Sequence, residues 1–196
     1  MSDLMEMLRA FEGRRLTRLT RHSWWSVKQA AAECDIPATK AFSLTCGPLE
    51  LEFDGGDILM LASDPGENSI VAWSGRDAPA REEEVDYPIP ADDPTGSEPH
   101  WARLRNQEVR YIEILKPLAP SPKVASRRSE VGVIFWLGGW GSNLIASHGL
   151  HDGSDDFSVL RRRDLSSETC RSLLATRLSG EGAGRRLRPR RTFFDG

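Results

Sequence analysis

Residues 42–73 read FSLTCGPLELEFDGGDILMLASDPGENSIVAW, and this stretch decides the predicted fold. In its first half, apolar and polar residues alternate with a period of two, which is typical of strands that face a core on one side and water on the other. A Gly-Gly pair at positions 55 and 56 supplies the positive backbone angles of a tight hairpin. An Asp-Pro-Gly sequence at residues 64–66 indicates another turn. These features predict a four-stranded antiparallel meander with strands over residues 42–46, 49–53, 58–61 and 70–73.

Outside this stretch, helical spacing of apolar residues appears near both ends of the chain. It predicts a first helix between a Ser2 cap and Gly13, a second over residues 23–33, and a last one from Asp164 or Ser166 to Gly180. We therefore expect an α+β fold that is mainly an antiparallel β-sheet of meanders and hairpins, with helices at the N- and C-terminal ends. Further strands are predicted over residues 109–115, 131–137, 143–147 and 157–160.

Two segments of the chain have no regular period. Residues 75–100 mix prolines with acidic residues, which predicts a long acidic surface loop. Residues 181–196 are rich in arginine and poor in apolar residues until Phe193 and Phe194, which predicts a flexible tail. Residues 1–180 are accordingly expected to form a single α+β domain that carries the loop.

Charge is distributed very unevenly along the chain. The formal net charge is −3, but residues 50–100 hold 14 acidic and 2 basic residues, whereas residues 161–196 hold 10 arginines and 4 acidic residues. The arginines of the tail are suited to phosphate contacts. However, no nucleic-acid-binding motif accompanies them, and the acidic middle would repel a polyanion. The sequence therefore argues against a nucleic-acid partner and leaves open that the tail folds onto the acidic loop.

The densest group of chemically active residues is His148, His151 and Asp152. Two imidazoles and a carboxylate are suitable zinc ligands, so a small metal-dependent hydrolase is the alternative function. The same segment is rich in Gly, Ser and Asp, which an ordinary loop also requires. Because no zinc-protease, calcium-loop, nucleotide-loop or serine-nucleophile motif occurs, we predict no cofactor and favour a protein that is not an enzyme.

The sequence also carries signals of its compartment. No apolar run approaches the length of a membrane span, and the N-terminal residues lack the pattern of a signal peptide. The three cysteines are odd in number and widely spaced, which is typical of reduced thiols. With 22 arginines among 26 basic residues, the composition is typical of a GC-rich bacterial genome. We expect a cytoplasmic bacterial protein.

Together these features favour a protein that binds a basic protein partner through an acidic surface. Immunity proteins that neutralise basic toxins are one such class, because opposite charge speeds the encounter of the two proteins. Three of the acids share one face of a predicted strand, which equally fits a merely solvated face. The predicted contact residues are Glu50, Glu52, Asp54, Trp73, Glu82, Glu83, Glu84 and Trp101.

Overall fold

A computed structural model describes residues 3–75, 87–118, 130–139, 142–151, 157–179 and 184–187. The described helices are α1 (Asp3–Arg9), α2 (Val27–Glu33), α3 (Ala41–Leu44), α4 (Pro99–Ala102) and α5 (Ser167–Arg171), with 3₁₀ turns at Ala38–Lys40 and Arg162–Asp164. The described strands are β1 (Leu16–Ser23), β2 (Leu49–Phe53), β3 (Ile58–Asp64), β4 (Ser69–Ser74), β5 (Tyr87–Pro90), β6 (Val109–Pro117), β7 (Gly132–Leu137), β8 (Asn143–His148), β9 (Phe157–Leu160), β10 (Leu173–Arg177) and β11 (Arg185–Arg186).

The described strands form two antiparallel sheets, so the predicted α+β class with mainly antiparallel sheet is confirmed. Sheet 1 has the order β4-β3-β2-β1-β5, and sheet 2 has the order β11-β10-β6-β7-β8-β9. Consecutive strands are neighbours through most of both sheets, as short connections favour. β5 is the main exception in sheet 1, because it pairs with β1 at the edge opposite β4.

The inner faces of the two sheets share one apolar core. Alternate residues of β2 and β3 meet alternate residues of β6, β7 and β8 there, and α1 and α4 close the sides of this core. A smaller apolar cluster lies on the outer face of sheet 2, where Leu165 and Cys170 near α5 cover Ile134 and Ile145. The molecule is therefore layered as sheet 1, sheet 2 and a partial cover of short helices.

The predicted strand over residues 42–46 is wrong, because this segment forms helix α3. All four residues of the helix are buried, including Ser43, whose hydroxyl accepts a hydrogen bond from the indole nitrogen of Trp101 at 3.0 Å. The alternation of apolar and polar residues suggested a solvated face, but Ser43 has its polar partner inside the protein. The other three predicted meander strands correspond to β2, β3 and β4.

The fourth strand of the meander is β1, which the sequence analysis did not predict. Leu19 and Arg21 both point into the core, so an arginine stands where alternation requires an apolar residue. The predicted second helix also begins later than expected. Ser26 and Gln29 form a reciprocal capping box, so α2 starts at Val27 and residues 23–25 lie outside it.

Helices are not confined to the two ends of the chain. The predicted last helix ends at Arg171, and the apolar residues beyond it belong to β10, which pairs with β6. The segment predicted as a loop, residues 75–100, contains β5 and α4. In both segments, residues 173–177 and residues 87–90, strand formation depends on pairing with a distant strand, because the local sequence has only a weak preference for secondary structure.

Two general features complete the description. The longest described helices have seven residues, far fewer than a helical membrane span requires. Cys34, Cys46 and Cys170 are free thiols, and the last two are buried.

Candidate functional site

The acidic residues of β2 are paired with basic residues of the neighbouring strand. Arg18 of β1 lies 3.1 Å from a carboxylate oxygen of Glu50 and 2.7 Å from one of Glu52. The imidazole of His22 lies 3.3 Å from the other oxygen of Glu50. Glu50 is 4% exposed, so it is not on a solvated face as expected. Two carboxylates therefore share one arginine, which offsets one of their two negative charges.

Asp54 lies in the turn after β2 and is likewise paired. The guanidinium of Arg14 contacts Asp54 at 3.0 Å and Asp57 at 2.6 Å. The backbone amide of Arg15 donates to the Asp54 carboxylate, and this bond, followed by the one from Arg14, lowers the pKa of Asp54. The turn thus tethers β2 to the start of β1, and its two carboxylates share one arginine.

The two tryptophans predicted as contact residues lie in different environments. Trp101 is 1% exposed and packs on Phe42 in the core, so a partner could reach it only if the core opened. The prediction that Trp101 contacts a partner therefore does not fit its position. Trp73 is half-buried at the β4 edge of sheet 1, where it pairs with Met60. Its position is compatible with the predicted contact.

Glu82, Glu83 and Glu84 lie outside the described residues. Tyr87, three positions after Glu84, opens β5 and pairs with Ser23 at the end of β1. Trp24 follows Ser23 directly. Trp24 and Tyr87 are 38% and 37% exposed, which makes them two of the most exposed large apolar side chains in the described ranges. We call this pair the aromatic corner.

The predicted residues of the alternative metal site are only partly described, because His148 and His151 lie in the described ranges and Asp152 does not. Nδ1 of His148 lies 2.8 Å from the hydroxyl of Ser63, which links β8 to β3 across the sandwich. Asp152 lies outside the described residues, so the predicted three-residue site is not tested. Among the residues that are described, no group of three His, Cys, Asp or Glu side chains could hold a metal ion.

Arg21 is the most unusual buried group of the described chain. Its guanidinium is completely buried, stacks 4.5 Å above the ring of Phe157, and donates Nη2 to the backbone carbonyls of Thr45 and Phe157. Nε and Nη1 have no hydrogen-bond partner among the residues that the structure describes. Burial lowers the pKa of Arg21 to about 9, against a smaller opposing effect of Cys46. Arg21 thus joins β1 of sheet 1 to β9 of sheet 2 at the cost of a desolvated charge.

A partly buried group of polar side chains surrounds His100 of α4. Lys40 contacts Glu98 at 2.8 Å, and Arg161 contacts Asp164 at 2.8 Å. Desolvation, and then the charge of Arg161, lowers the pKa of His100 to about 4. The imidazole is therefore neutral near pH 7, and it packs against the adjacent indole with ring centroids 4.2 Å apart and planes tilted by 50°. The arrangement stabilises the joint between α4 and the 3₁₀ turn before α5.

A cleft of about 310 Å³ opens between β1, β5 and α4. Leu19 and Pro90 contribute apolar surface, whereas Arg18 and Arg105 carry positive and Asp92 negative charge. Because Arg18 is already paired with two glutamates, the charged residues of the cleft that remain for a ligand are Arg105 and Asp92, which have opposite signs.

Sequence reasoning missed the aromatic corner and the basic partners of the β2 acids. The predicted helix over residues 23–33 included Trp24, whereas the Ser26–Gln29 capping box was a local signal that the helix starts after this residue. The pairing of Arg18 with Glu50 and Glu52 depends on the register of β1 against β2, which no local signal carries. No protein-family model, curated protein or solved structure matches this chain.

Proposed function

We propose that this protein is a cytoplasmic bacterial protein-binding protein whose partner is a basic protein domain, in the manner of an immunity protein that neutralises a toxin. The observation that carries the proposal is the aromatic corner, formed by Trp24 and Tyr87. Exposed aromatic side chains are the commonest energetic anchors of protein interfaces. The most acidic run of the sequence, residues 82–86, ends directly before Tyr87.

The ion pairs of the β2 acids indicate which acidic residues are left to attract a basic partner. Glu50, Glu52 and Asp54 each have a basic neighbour within about hydrogen-bond distance, so they contribute mainly to the fold. The acids that remain for steering are Glu82, Glu83 and Glu84, which are tethered to the corner by a few residues of chain. In this proposal, the glutamates raise the association rate and the aromatic side chains slow dissociation.

The test begins with capture of the partner from the native organism and its identification by mass spectrometry. Association and dissociation rates are then measured at low and high salt. Substituting Trp24→Ala and Tyr87→Ala should each raise the dissociation rate about tenfold or more, because buried aromatic anchors contribute roughly 2 kcal/mol. Charge reversal with E82K/E83K/E84K should slow association about tenfold at low salt and much less at high salt.

Leu118→Ala is the matched control. Leu118 is 36% exposed, much as Trp24 and Tyr87 are, but it follows β6 of sheet 2. Its substitution should leave both rates unchanged. A neutral or acidic partner, or equal effects of Leu118→Ala and Trp24→Ala, would contradict the proposal. A metal-dependent activity that is lost in His148→Ala would instead support the hydrolase alternative.

A further inference from the structure

The cleft between β1, β5 and α4 lies beside the part of β1 that extends past β5. β5 pairs with residues 20–23 of β1, and the amide of Ala91, just after β5, donates to the carbonyl of Leu19. Leu16 at the start of β1 forms backbone hydrogen bonds with residues 106–107 instead. Residues 17–19 span the interval between these contacts and line the cleft of about 310 Å³. This volume is at the lower end of the range for small-molecule sites.

The floor of the cleft is apolar and belongs to the packed core. Leu19 is 4% exposed, and Trp101, which packs beneath the cleft, is 1% exposed. The indole nitrogen of Trp101 donates to Ser43 at 3.0 Å, so this side chain is fixed in place. Pro90 and Ala102 add apolar surface on the two sides. The cleft is therefore preformed, and an apolar group of a ligand would find a rigid surface in it.

Two charged side chains of opposite sign line the cleft and are free to bind a ligand. Asp92 follows β5 and Arg105 follows α4, and both are exposed. In the described ranges, neither side chain forms a hydrogen bond or an ion pair, either with the other or with a third group. Asp93 differs, because its carboxylate accepts two hydrogen bonds from Thr95 at 2.8 and 2.7 Å. Asp92 and Arg105 thus keep their full hydrogen-bonding capacity.

Arg18 is a third charged residue of the lining, but its charge is engaged elsewhere. Its guanidinium lies 3.1 Å from Glu50 and 2.7 Å from Glu52. A ligand with only a negative charge would use Arg105 and be repelled by Asp92, and a ligand with only a positive charge would meet the reverse. A ligand that carries both charges uses both side chains.

From these observations we propose that the cleft binds a free α-amino acid with an apolar side chain. The guanidinium of Arg105 donates two N–H groups to the α-carboxylate, and the carboxylate of Asp92 accepts from the α-ammonium group. The apolar side chain of the ligand lies on Leu19, Pro90 and Ala102. The small volume of the cleft favours a single amino acid over a longer peptide. This site is separate from the aromatic corner, and the proposal does not depend on the function proposed above.

The test is an NMR titration of the ¹⁵N-labelled full chain with L-leucine. Amide signals of residues 17–19, 91–92 and 102–105 should shift and saturate together. N-acetyl-L-leucine lacks the ammonium charge and L-leucinamide lacks the carboxylate, so each should bind about tenfold more weakly than leucine. Glycine should also bind about tenfold more weakly, because it lacks the apolar group that leucine buries.

Two variants assign each charge of the ligand to one side chain. Arg105→Gln should weaken the binding of leucine about tenfold and leave that of leucinamide unchanged, because leucinamide has no carboxylate to lose. Asp92→Asn should weaken leucine by a similar factor and leave N-acetylleucine unchanged. Arg103→Gln is the matched control, since Arg103 is exposed two residues before Arg105 but does not line the cleft. It should change the affinity for leucine less than about twofold.

Several outcomes would overturn the proposal. They are the absence of saturable shifts up to the solubility limit of leucine, shifts confined to another part of the protein, or equal losses of affinity in Arg103→Gln and Arg105→Gln. Binding of N-acetylleucine as tight as that of leucine would instead indicate a simple anion site, and equally tight binding of leucinamide would indicate a simple cation site. Circular dichroism confirms the fold of each variant.

Discussion

His100 and Arg21 show at the scale of single residues how this fold tolerates buried polar groups. Each has at least one buried nitrogen that has no hydrogen-bond partner within the described parts of the chain. Burial is the leading cause of the lowered pKa of both side chains, to about 4 and about 9 respectively. His100 avoids the cost of a buried charge because its imidazole is neutral near pH 7. Arg21 stays charged near pH 7 and donates hydrogen bonds to two backbone carbonyls. Only the first of these groups titrates in the mildly acidic range.

We predict that His100 makes the protein less stable as the pH falls from about 6.5 to 4. Above this range the imidazole is neutral in both states and contributes no pH dependence. Within this pH range, His100 is protonated in the unfolded chain but neutral in the folded chain, so the free energy of unfolding decreases as the pH falls. Because the group is only partly buried, we expect a loss of about 1–2 kcal/mol.

The measurement is urea unfolding of the wild-type protein and His100→Gln at about pH 7.5 and 4.5. Between the higher and the lower pH, the free energy of unfolding should decrease more in the wild-type protein than in the His100→Gln variant. Carboxylates titrate in both proteins and cancel in this difference. Parallel losses in the two proteins would show that the histidine has no such role.

At the scale of elements, the junction between α3 and β2 depends on one glycine. Gly47 has a φ of +110°, and a Cβ at this position would lie 1.8 Å from the carbonyl oxygen of His22. The backbone of β1 therefore approaches this turn closely, and His22 donates its amide to Pro48 at 2.9 Å. α3 itself lies along β9, where its buried side chains cover the edge of sheet 2.

We predict that Gly47→Ala lowers the free energy of unfolding by at least about 3 kcal/mol, because steric overlap with backbone adds to an unfavourable φ. Gly56→Ala is the matched control. Gly56 also has a positive φ, of +85°, but a Cβ there would meet nothing within 4 Å. This control should lose only about 1 kcal/mol. Similar losses in urea unfolding of the two variants would refute the steric argument.

At the scale of the whole molecule, the two sheets are expected to unfold together. Leu61 of sheet 1 and Phe135 of sheet 2 belong to one apolar cluster, and both are completely buried. Arg21 and the Ser63–His148 hydrogen bond also cross between the sheets. Neither sheet therefore keeps its inner face covered when the other is lost.

We predict that slow amide hydrogens of β3 and β7 exchange with the same opening free energy, within about 0.5 kcal/mol, and with the same dependence on urea. Hydrogen exchange followed by NMR or mass spectrometry measures both strands in one sample. Amides of α2, a short helix with Ala30 as its buried residue, serve as the internal contrast and should open at lower free energy. Separate opening of β3 and β7 would mean that the sheets are independent units.

The sequence alone determined the fold class and most of the strands, because the hairpin signals around residues 55–56 and the apolar run at residues 131–137 are local. It did not determine α3, β1 or β10. α3 and β1 each bury a polar side chain in the core, and its hydrogen-bond partner is distant in the sequence. β10 is a strand only because it pairs with the distant strand β6. For the candidate site, the register of β1 against β2 paired Glu50 and Glu52 with Arg18, and packing on Phe42 buried Trp101, neither of which the local sequence indicates. The reason is physical. Composition and periodicity indicate the hydrophobicity of each position, whereas the charge pairing and exposure of a side chain depend on which distant segment packs beside it.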